Sequence, residues 1–301
     1  MDLRNLLLCR TRSYAFVRES QAVASGRALP WGAGGGSVVG MADAAPKKSL
    51  GQHFLKDRNI LGAIADAAGV GPDDVVIEVG PGRGSLTQVL AERAKRVVAV
   101  ELDGALVESL RQTMPANVEV LHQDARGVSP AELIGGCGPY KMLGNLPYYA
   151  AMPILRSFLE SDCRPTHAAI LVQLEVARNL CAAPGDMSLA SLGVQLFGKP
   201  RVARRVPPGA FVPPPKIMSA VVAIEVYDEP AGGVTDVKGF FRVARAGFSA
   251  PRKQLRNSLG NGLGIAGDEA ETLLRAAGID PKRRAESLAL EEWAALARAV
   301  V

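Results

Sequence analysis

The sequence has little of the material from which metal centres, disulfide scaffolds and membrane spans are built. Its 301 residues include only three histidines and four cysteines, and no two cysteines have the C-x-x-C spacing of a zinc site. We therefore expect neither a zinc site nor a disulfide framework, and a reducing compartment fits best. No apolar run reaches the roughly 20 residues that cross a bilayer, so we expect a soluble protein. The four cysteines are Cys9, Cys137, Cys163 and Cys181.

The overall composition is that of a globular protein with a modest positive charge. Apolar residues make up 48% and charged residues 22% of the chain, and its length allows about two domains. The net charge of +5 and the isoelectric point near 9.1 suggest a polyanionic partner, although many solvated proteins are this basic.

Residues 1–45 differ from the rest of the chain. Leu6, Leu7 and Leu8 form an apolar run too short for a signal peptide, and the segment carries five arginines and a glycine-rich stretch. Three interpretations remain open: an organellar transit peptide, a segment without ordered structure, or a start site placed too early. We favour the last, because Met41 offers a natural N-terminus.

From residue 46 onward, strand and helix patterns alternate. Such alternation predicts a doubly wound, mostly parallel α/β sheet, and the last two strands have little helix between them, which indicates an antiparallel edge. The predicted strands are 75–79, 97–101, 118–121, 140–143, 167–172, 201–206 and 219–227. The predicted helices of this part are 59–68, 85–93, 103–113, 152–160, 174–182 and 188–197, with Asp57 near the start of the first and Ser85 able to cap the second.

Gly232 and Gly233 mark a change to purely helical patterns. We predict a domain boundary here, with residues 46–230 forming the α/β domain and 231–301 a small helical one. Its helices are predicted at 237–248, 251–259, 268–277 and 290–300. Its early part has a basic set with no acidic residue between its members, which is either a phosphate-binding surface or a solvated helix face. This set is Lys238, Arg242, Arg245, Arg252, Lys253 and Arg256.

The first predicted strand runs into a glycine turn, Gly80-Pro81-Gly82-Arg83-Gly84. Small residues let the backbone approach a ligand at the carboxyl edge of a sheet. The spacing is G-x-G-x-G rather than the G-x-G-x-x-G that seats a pyrophosphate. Glu101 ends the next strand, where a carboxylate can accept hydrogen bonds from a ribose diol. The glycine turn, Glu78 at the end of the first strand and Glu101 at the end of the second together predict a nucleoside cofactor. Glu78 could instead only support the loop as a hydrogen-bond acceptor.

Two later strand ends point to the same edge. Asp124 follows the third strand, where its carboxylate could accept a hydrogen bond from the exocyclic amine of an adenine. The segment from Asn145 to Tyr149 reads Asn-Leu-Pro-Tyr-Tyr, which places an amide, a backbone carbonyl and an aromatic face side by side. A planar purine amine needs two acceptors and a stacking ring.

The chain from about Lys47 to the C-terminus resembles the small-subunit ribosomal RNA adenine dimethyltransferases. The resemblance is carried by GQHFL, VIEVGPGRGSLT, AVELD, QDA, GNLPYY, GAFVPPPKIMSAVV and FSAPRKQLRNSL. It implies a Rossmann-like methyltransferase fold with S-adenosylmethionine as cofactor. It further implies a cofactor site lined by His53, Leu55, Gly80, Glu101, Asp124 and Asn145, with Gly82 and Gly84 shaping the loop. The implied catalytic turn is Asn145, Leu146, Pro147 and Tyr148, with Phe211 clamping the base from the other side unless it is a core residue.

By the same resemblance, the expected activity is dimethylation of the N6 amines of two adjacent adenosines near the 3′ end of small-subunit rRNA. The expected partner is rRNA within an immature subunit, bound by a monomer in the cytoplasm, or in the mitochondrial matrix if residues 1–40 are a transit peptide. The chain departs from the family pattern at His53, Leu174 and Pro251, none of which removes a catalytic group. Rival interpretations are an oxidoreductase on the same fold, an rRNA-binding assembly checkpoint, and a large-subunit rRNA adenine methyltransferase.

Overall fold

A computed structural model of the chain describes residues 53–146 and 150–300. The N-terminal segment 1–45 and the turn residues Pro147 and Tyr148 lie outside these ranges. No helix among the described residues is long and apolar enough to cross a membrane.

The centre of the fold is a seven-stranded sheet, as the alternating pattern predicts. Its strands are β2 (Val75–Val79), β3 (Arg96–Glu101), β4 (Val118–His122), β5 (Lys141–Asn145), β6 (His167–Gln173), β7 (Gly198–Val206) and β9 (Ser219–Val226). They are arranged in the order β4-β3-β2-β5-β6-β9-β7. The first five in this order are parallel, while β9 is antiparallel to both of its neighbours. The predicted doubly wound sheet with an antiparallel edge is confirmed.

Helices cover both faces of the sheet and form the C-terminal part of the chain. Around the sheet they are α1 (Arg58–Ala67), α2 (Ser85–Ala91), α3 (Gly104–Thr113), α4 (Pro130–Ile134), α5 (Ala151–Leu159), α6 (Leu174–Leu180) and α7 (Leu189–Gln195). The C-terminal helices are α8 (Val237–Gly247), α9 (Leu255–Leu263), α10 (Gly267–Ala276) and α11 (Leu290–Val300). The predicted domain boundary near residue 231 falls between β9 and α8 and stays a prediction.

The residues at the helix starts agree with the sequence prediction for α1 and differ from it for α2 and α9. Asp57 caps α1 by accepting hydrogen bonds from the backbone of Asn59 and Ile60. Ser85 does not cap α2, because Gly84 occupies the cap position in a left-handed conformation. The predicted helix at 251–259 begins four residues later, at Leu255, since residues 250–253 form a turn.

Alternating residues of the strands supply two hydrophobic layers. Val76 and Leu143 face α1 and α2, whereas Ile77 and Met142 face α5 on the other side of the sheet. The second layer continues into the C-terminal helices, where Trp293 is fully buried. The sheet is therefore a rigid base that fixes the positions of its strand ends.

Two features were not anticipated from the sequence. Strand β1 (Phe54–Leu55) pairs antiparallel with β8 (Phe211–Val212), and two-residue strands are too short to show a periodic pattern. The structure also joins Cys137 and Cys163 as a disulfide with Cα atoms 5.4 Å apart, a single bridge that the sequence analysis, which expected no disulfide framework, did not predict. The two cysteines lie 26 positions apart, and only the fold brings them together.

Candidate active site

The residues singled out from the sequence converge on one edge of the sheet. Strands β2, β3, β4 and β5 are parallel, so their carboxyl ends meet at the same edge. Chain order reverses between β2 and β5, and in open α/β sheets ligands bind in the crevice at such a reversal. The glycine turn follows β2, Glu101 ends β3, Asp124 follows β4, and Asn145 ends β5.

The glycine turn has a conformation and a packing that side chains would disrupt. Gly80, Gly82 and Gly84 all have positive φ, at 69°, 58° and 82°. A Cβ on Gly84 would lie 2.6 Å from Leu110 Cδ2, which is a clash. The turn therefore depends on glycine for its conformation and its packing, and a loop without side chains is what close approach of a cofactor requires.

Glu101 connects this turn to the following helix. One carboxylate oxygen, Oε2, accepts a hydrogen bond from the Gly82 N–H at 3.0 Å. The other, Oε1, accepts from the backbone N–H groups of Leu102 and Asp103, each at 2.9 Å. A carboxylate has about four acceptor positions, so about one remains for a ribose hydroxyl. Glu101 is thus first a support for the loop, and it retains limited capacity to bind the ribose.

Glu78 lies beneath the same turn and is 1% exposed. Burial raises the pKa of its carboxyl to about 8, and the nearby negative charge of Glu101 adds to the rise. The nearby Thr87 hydroxyl has the opposite effect and lowers the pKa of Glu78. Neither this hydroxyl nor Glu78 Oε2 has a hydrogen-bond partner of acceptable geometry among the described residues. At neutral pH, Glu78 is therefore an uncharged acid, which avoids a second negative charge beside Glu101.

Asp124 lies in the expected place but is already engaged. Its carboxylate pairs with Arg126, with Oδ2 2.5 Å from Nη2, and it accepts the Arg126 backbone N–H at 3.0 Å. These bonds hold the pKa of Asp124 down at about 2. The carboxylate is half-buried and ionised, so contact with an adenine amine would use its remaining acceptor positions.

A hydrogen-bonded chain fixes Asn145 at the end of β5. Its Nδ2 donates to the His53 carbonyl at 3.1 Å, and His53 Nδ1 lies 2.8 Å from the Pro213 carbonyl oxygen. With the amide nitrogen used in this way, the side-chain oxygen is the acceptor that Asn145 can offer to a ligand. Leu146 is 2% exposed, so its side chain belongs to the core and only its backbone carbonyl is a candidate acceptor.

Phe211 and Leu55 are core residues in this structure. They pair across β1 and β8, and their side chains are 2% and 4% exposed. This burial favours the alternative of a core residue for Phe211, while its expected role in clamping an extruded base stays a prediction. Leu55 can line a cofactor only through its backbone.

One candidate was missed from the sequence. Leu102 directly follows Glu101 and is 48% exposed, the highest value among the large apolar residues that the structure describes. It offers an apolar surface to a flat ring bound beside Glu101. An exposed leucine after an acidic strand end gives no periodic signal, so only the structure identifies it.

The basic set of the C-terminal helices divides into two groups. Arg256 is half-buried and pairs with Asp268 at 3.0 Å and Glu271 at 3.2 Å, so it supports the packing of α9 on α10. The other five are exposed and make no ion pair with any described residue; they are Lys238, Arg242 and Arg245 on α8, and Arg252 and Lys253 in the turn before α9. Within the described ranges, no cluster of three or more His, Cys, Asp or Glu side chains could hold a metal ion.

Comparison with known proteins gives a consistent family assignment. Residues 44–300 match the family described as Ribosomal RNA adenine dimethylase. Ribosomal RNA small subunit methyltransferase A of Dehalococcoides mccartyi (strain ATCC BAA-2266 / KCTC 15142 / 195) is 45% identical over 249 residues, covering 82% of this chain and 86% of the relative. The protein of the same name from Alkaliphilus metalliredigens (strain QYMF) is 42% identical over 261 residues, covering 84% and 91%.

Solved structures share the same fold. The 23S rRNA methyltransferase ErmE superposes with a TM-score of 0.65 at 27% identity, covering 82% of this chain and 98% of that one. A dimethyladenosine transferase from Plasmodium falciparum superposes with a TM-score of 0.69 at 22% identity, covering 81% and 96%.

Proposed function

Because this chain belongs to the ribosomal RNA adenine dimethylase family, we propose that it transfers methyl groups from S-adenosylmethionine to adenosines of small-subunit rRNA. The products are N6,N6-dimethyladenosines at two adjacent positions near the 3′ end. The observation that carries the proposal is the meeting of the glycine turn, Glu101 and Asn145 at the reversal point of the sheet.

The residues at this edge fit a nucleoside cofactor. Gly80 and Gly82 keep side chains away from the crevice, and Glu101 keeps an acceptor position for a ribose hydroxyl. Leu102 offers an apolar surface for an adenine ring, and Asp124 offers an acceptor for its amine. When bound, S-adenosylmethionine supplies an electrophilic methyl group on a sulfonium centre.

The task of the protein is then to position the adenosine amine. Asn145 Oδ1 and the Leu146 carbonyl accept the two amine hydrogens, which favours a pyramidal nitrogen with an available lone pair. The same acceptors stabilise the positive charge that develops on the nitrogen during transfer. Tyr148 stacks on the base, a contact worth roughly 1 to 3 kcal/mol. Positioning of this kind can lower a barrier by up to about 7 to 11 kcal/mol, so no strong general base is needed.

Binding of the RNA is assigned to the exposed basic residues of α8 and the turn before α9. They provide positive charge that no described acid neutralises, and phosphate contacts supply most sequence-independent affinity for nucleic acids. We further propose that the substrate is an immature small subunit, that the protein acts as a monomer, and that it works in the cytoplasm. A mitochondrial location follows instead if residues 1–40 are a transit peptide.

Two related functions remain as alternatives. The 27% identity to the 23S rRNA methyltransferase ErmE supports a large-subunit substrate, although the chain is far more similar to the small-subunit methyltransferases. A binding role as an assembly checkpoint is compatible with the same basic surface.

Methylation of isolated ribosomal subunits distinguishes these possibilities. Unmethylated small subunits and large subunits are incubated separately with radiolabelled S-adenosylmethionine, and the rRNA is digested to nucleosides. We expect labelled dimethyladenosine from the small subunits and none from the large ones, and label that accumulates far more slowly with the Asn145→Ala variant. Label in large-subunit rRNA alone would overturn the substrate assignment, and tight binding without transfer would favour the checkpoint.

A further inference from the structure

A second concentration of positive charge lies outside the C-terminal helices, at one edge of the sheet. No acidic residue occurs between Asp186 and Glu225. The basic residues of this stretch are Lys199, Arg201, Arg204, Arg205 and Lys216, and all five are exposed. Four of them lie on β7, which is an edge strand because β9 is its only partner among the described strands.

An irregularity in β7 determines which of these side chains share a face. In a regular strand, Arg201 would share its face with residues 203 and 205. The register with β9 instead pairs Lys199 with Glu225 and Arg201 with Ala223, and then shifts between Val202 and Arg204.

After this shift, Arg204 pairs with Val221. Positions 221, 223 and 225 of β9 lie on one face, so Lys199, Arg201 and Arg204 also lie on one face, and Arg205 lies on the opposite one. We call Lys199, Arg201 and Arg204 the basic stripe.

The basic stripe lies beside a groove that is open to small ligands. The groove has a volume of about 360 Å³ and is lined by residues 66–69 at the C-terminal end of α1, by Lys199 and Arg201 of β7, and by residues 223–225 of β9. Three acids line the pockets that contain stripe residues. Glu225 lies directly opposite Lys199, Asp66 already pairs with Arg93 at 2.5 Å, and Glu291 lines a second pocket with Lys199.

None of the three stripe residues makes an ion pair with any residue that the structure describes. The stripe therefore carries uncompensated positive charge, most strongly at Arg201 and Arg204.

The direction of β7 connects the stripe to the active site. Strand β7 is parallel to β6, because both are antiparallel to β9, so its C-terminal end lies at the active-site edge. The chain then passes through residues 207–212 to Pro213, whose carbonyl oxygen contacts His53. His53 in turn accepts the hydrogen bond from Asn145.

We propose that the basic stripe binds the phosphates of an rRNA strand that leads to the nucleotide in the active site. The proposal rests on the proposed function, since it takes rRNA as the partner. Alternate residues of a strand are about 6.6 Å apart, so the stripe presents repeated charges along a line, as an extended polyanion requires. Lys216, exposed in the loop beyond Phe211, continues the positive charge toward the active-site edge.

A different reason for basic residues on an edge strand is protection against edge-to-edge pairing. In that role, charges on both faces of the strand are equally useful, and RNA binding does not depend on them. An acidic protein is a further class of partner for the same charges. The experiment is therefore chosen to separate the three roles.

The test compares variants on the two faces of β7. Lys199, Arg201 and Arg204 are replaced together by glutamine, and Arg204→Gln is compared with Arg205→Gln as a matched pair with the same charge change. Binding to unmethylated small subunits is measured by filter retention at several salt concentrations. Transfer to the same subunits is measured under single-turnover conditions, and S-adenosylmethionine affinity and melting temperature establish that each variant is folded.

For the triple variant we expect subunit affinity to fall roughly 10- to 100-fold, and the salt slope to flatten by up to about 0.7 log units for each lost contact to a single strand. Arg204→Gln should weaken binding severalfold and Arg205→Gln should not. Cofactor affinity should stay unchanged in all of them.

Three results would overturn the proposal. Unchanged affinity and salt slope in the folded triple variant would exclude RNA contact by the stripe. Aggregation of the triple variant with normal RNA affinity would assign the charges to edge protection, and loss of binding to subunit proteins but not to deproteinised rRNA would assign them to an acidic protein. Failure of the wild-type protein to methylate small subunits would instead refute the proposed function, so the two failures are distinguishable.

Discussion

Replacing Glu78 by glutamine tests whether a neutral carboxyl lies beneath the glycine turn. Glutamine has almost the same shape and no charge at any pH, so the substitution removes ionisation and little else. The glutamine amide can form a different number of hydrogen bonds from the carboxyl, but the resulting change in stability does not depend on pH. The difference in stability between the variant and the wild type should therefore change with pH in a way that reports on Glu78.

The magnitude follows from the pKa of the carboxyl in the two states. Burial raises it to about 8 in the folded protein, whereas its ordinary value is 4.5. Below pH 4.5 both states are protonated and ionisation costs no stability. As the pH rises, the unfolded state releases its proton first, so the folded state becomes less stable until the pH passes about 8.

At about 1.36 kcal/mol per pH unit, the full loss is about 5 kcal/mol, and about 3 kcal/mol of it falls between pH 5 and pH 7.5.

Thermal and urea unfolding at pH 5.0, 6.0, 7.0 and 7.5 provide the assay. Relative to the wild type, Glu78→Gln should gain about 3 kcal/mol across this range, or roughly 6 to 12 °C in melting temperature for a chain of this size. Glu229→Gln, at an exposed loop position, is the matched control and should show no such trend. Parallel stability curves for Glu78→Gln and the wild type would refute the reasoning, because they would mean that Glu78 ionises alike in both states.

Four further variants test the site and the RNA surface. Glu101→Ala should weaken S-adenosylmethionine binding by roughly 1.5 to 3 kcal/mol in calorimetry and lower the melting temperature, because three backbone N–H groups lose their acceptor; unchanged affinity in a folded variant would remove Glu101 from the cofactor site. Asn145→Ala should slow single-turnover methyl transfer by roughly 100-fold or more while RNA affinity changes little, and near-normal transfer would contradict the assigned chemistry. Replacing Arg252 and Lys253 by alanine should flatten the salt dependence of RNA binding by up to about 0.9 log units per contact. Arg256→Ala should instead lower the melting temperature and leave that slope unchanged, since its partners are acids of α10; the opposite pattern would reverse the two assignments.

The local pattern of the sequence was enough to predict the sheet and the sheet edge at which the candidate site residues lie. A buried parallel strand needs a short β-branched run, and the glycine turn after Val79 needs residues that tolerate positive φ. Both requirements act on neighbouring residues, so they are visible in the sequence. The positions of Glu101 and Asn145 at strand ends follow directly from the strand boundaries.

The partners of individual side chains were decided only by the tertiary structure. Phe211 is buried because a two-residue strand pairs it with Leu55, and Arg256 is neutralised by acids from another helix. Arg204 lies on the same face as Arg201 because of one irregularity in the register with β9. Each of these contacts joins residues distant in the chain, whereas periodicity and turn preference act over only a few residues. The sequence by itself therefore determined which residues could carry the chemistry, and the fold decided which of them are exposed, paired or buried.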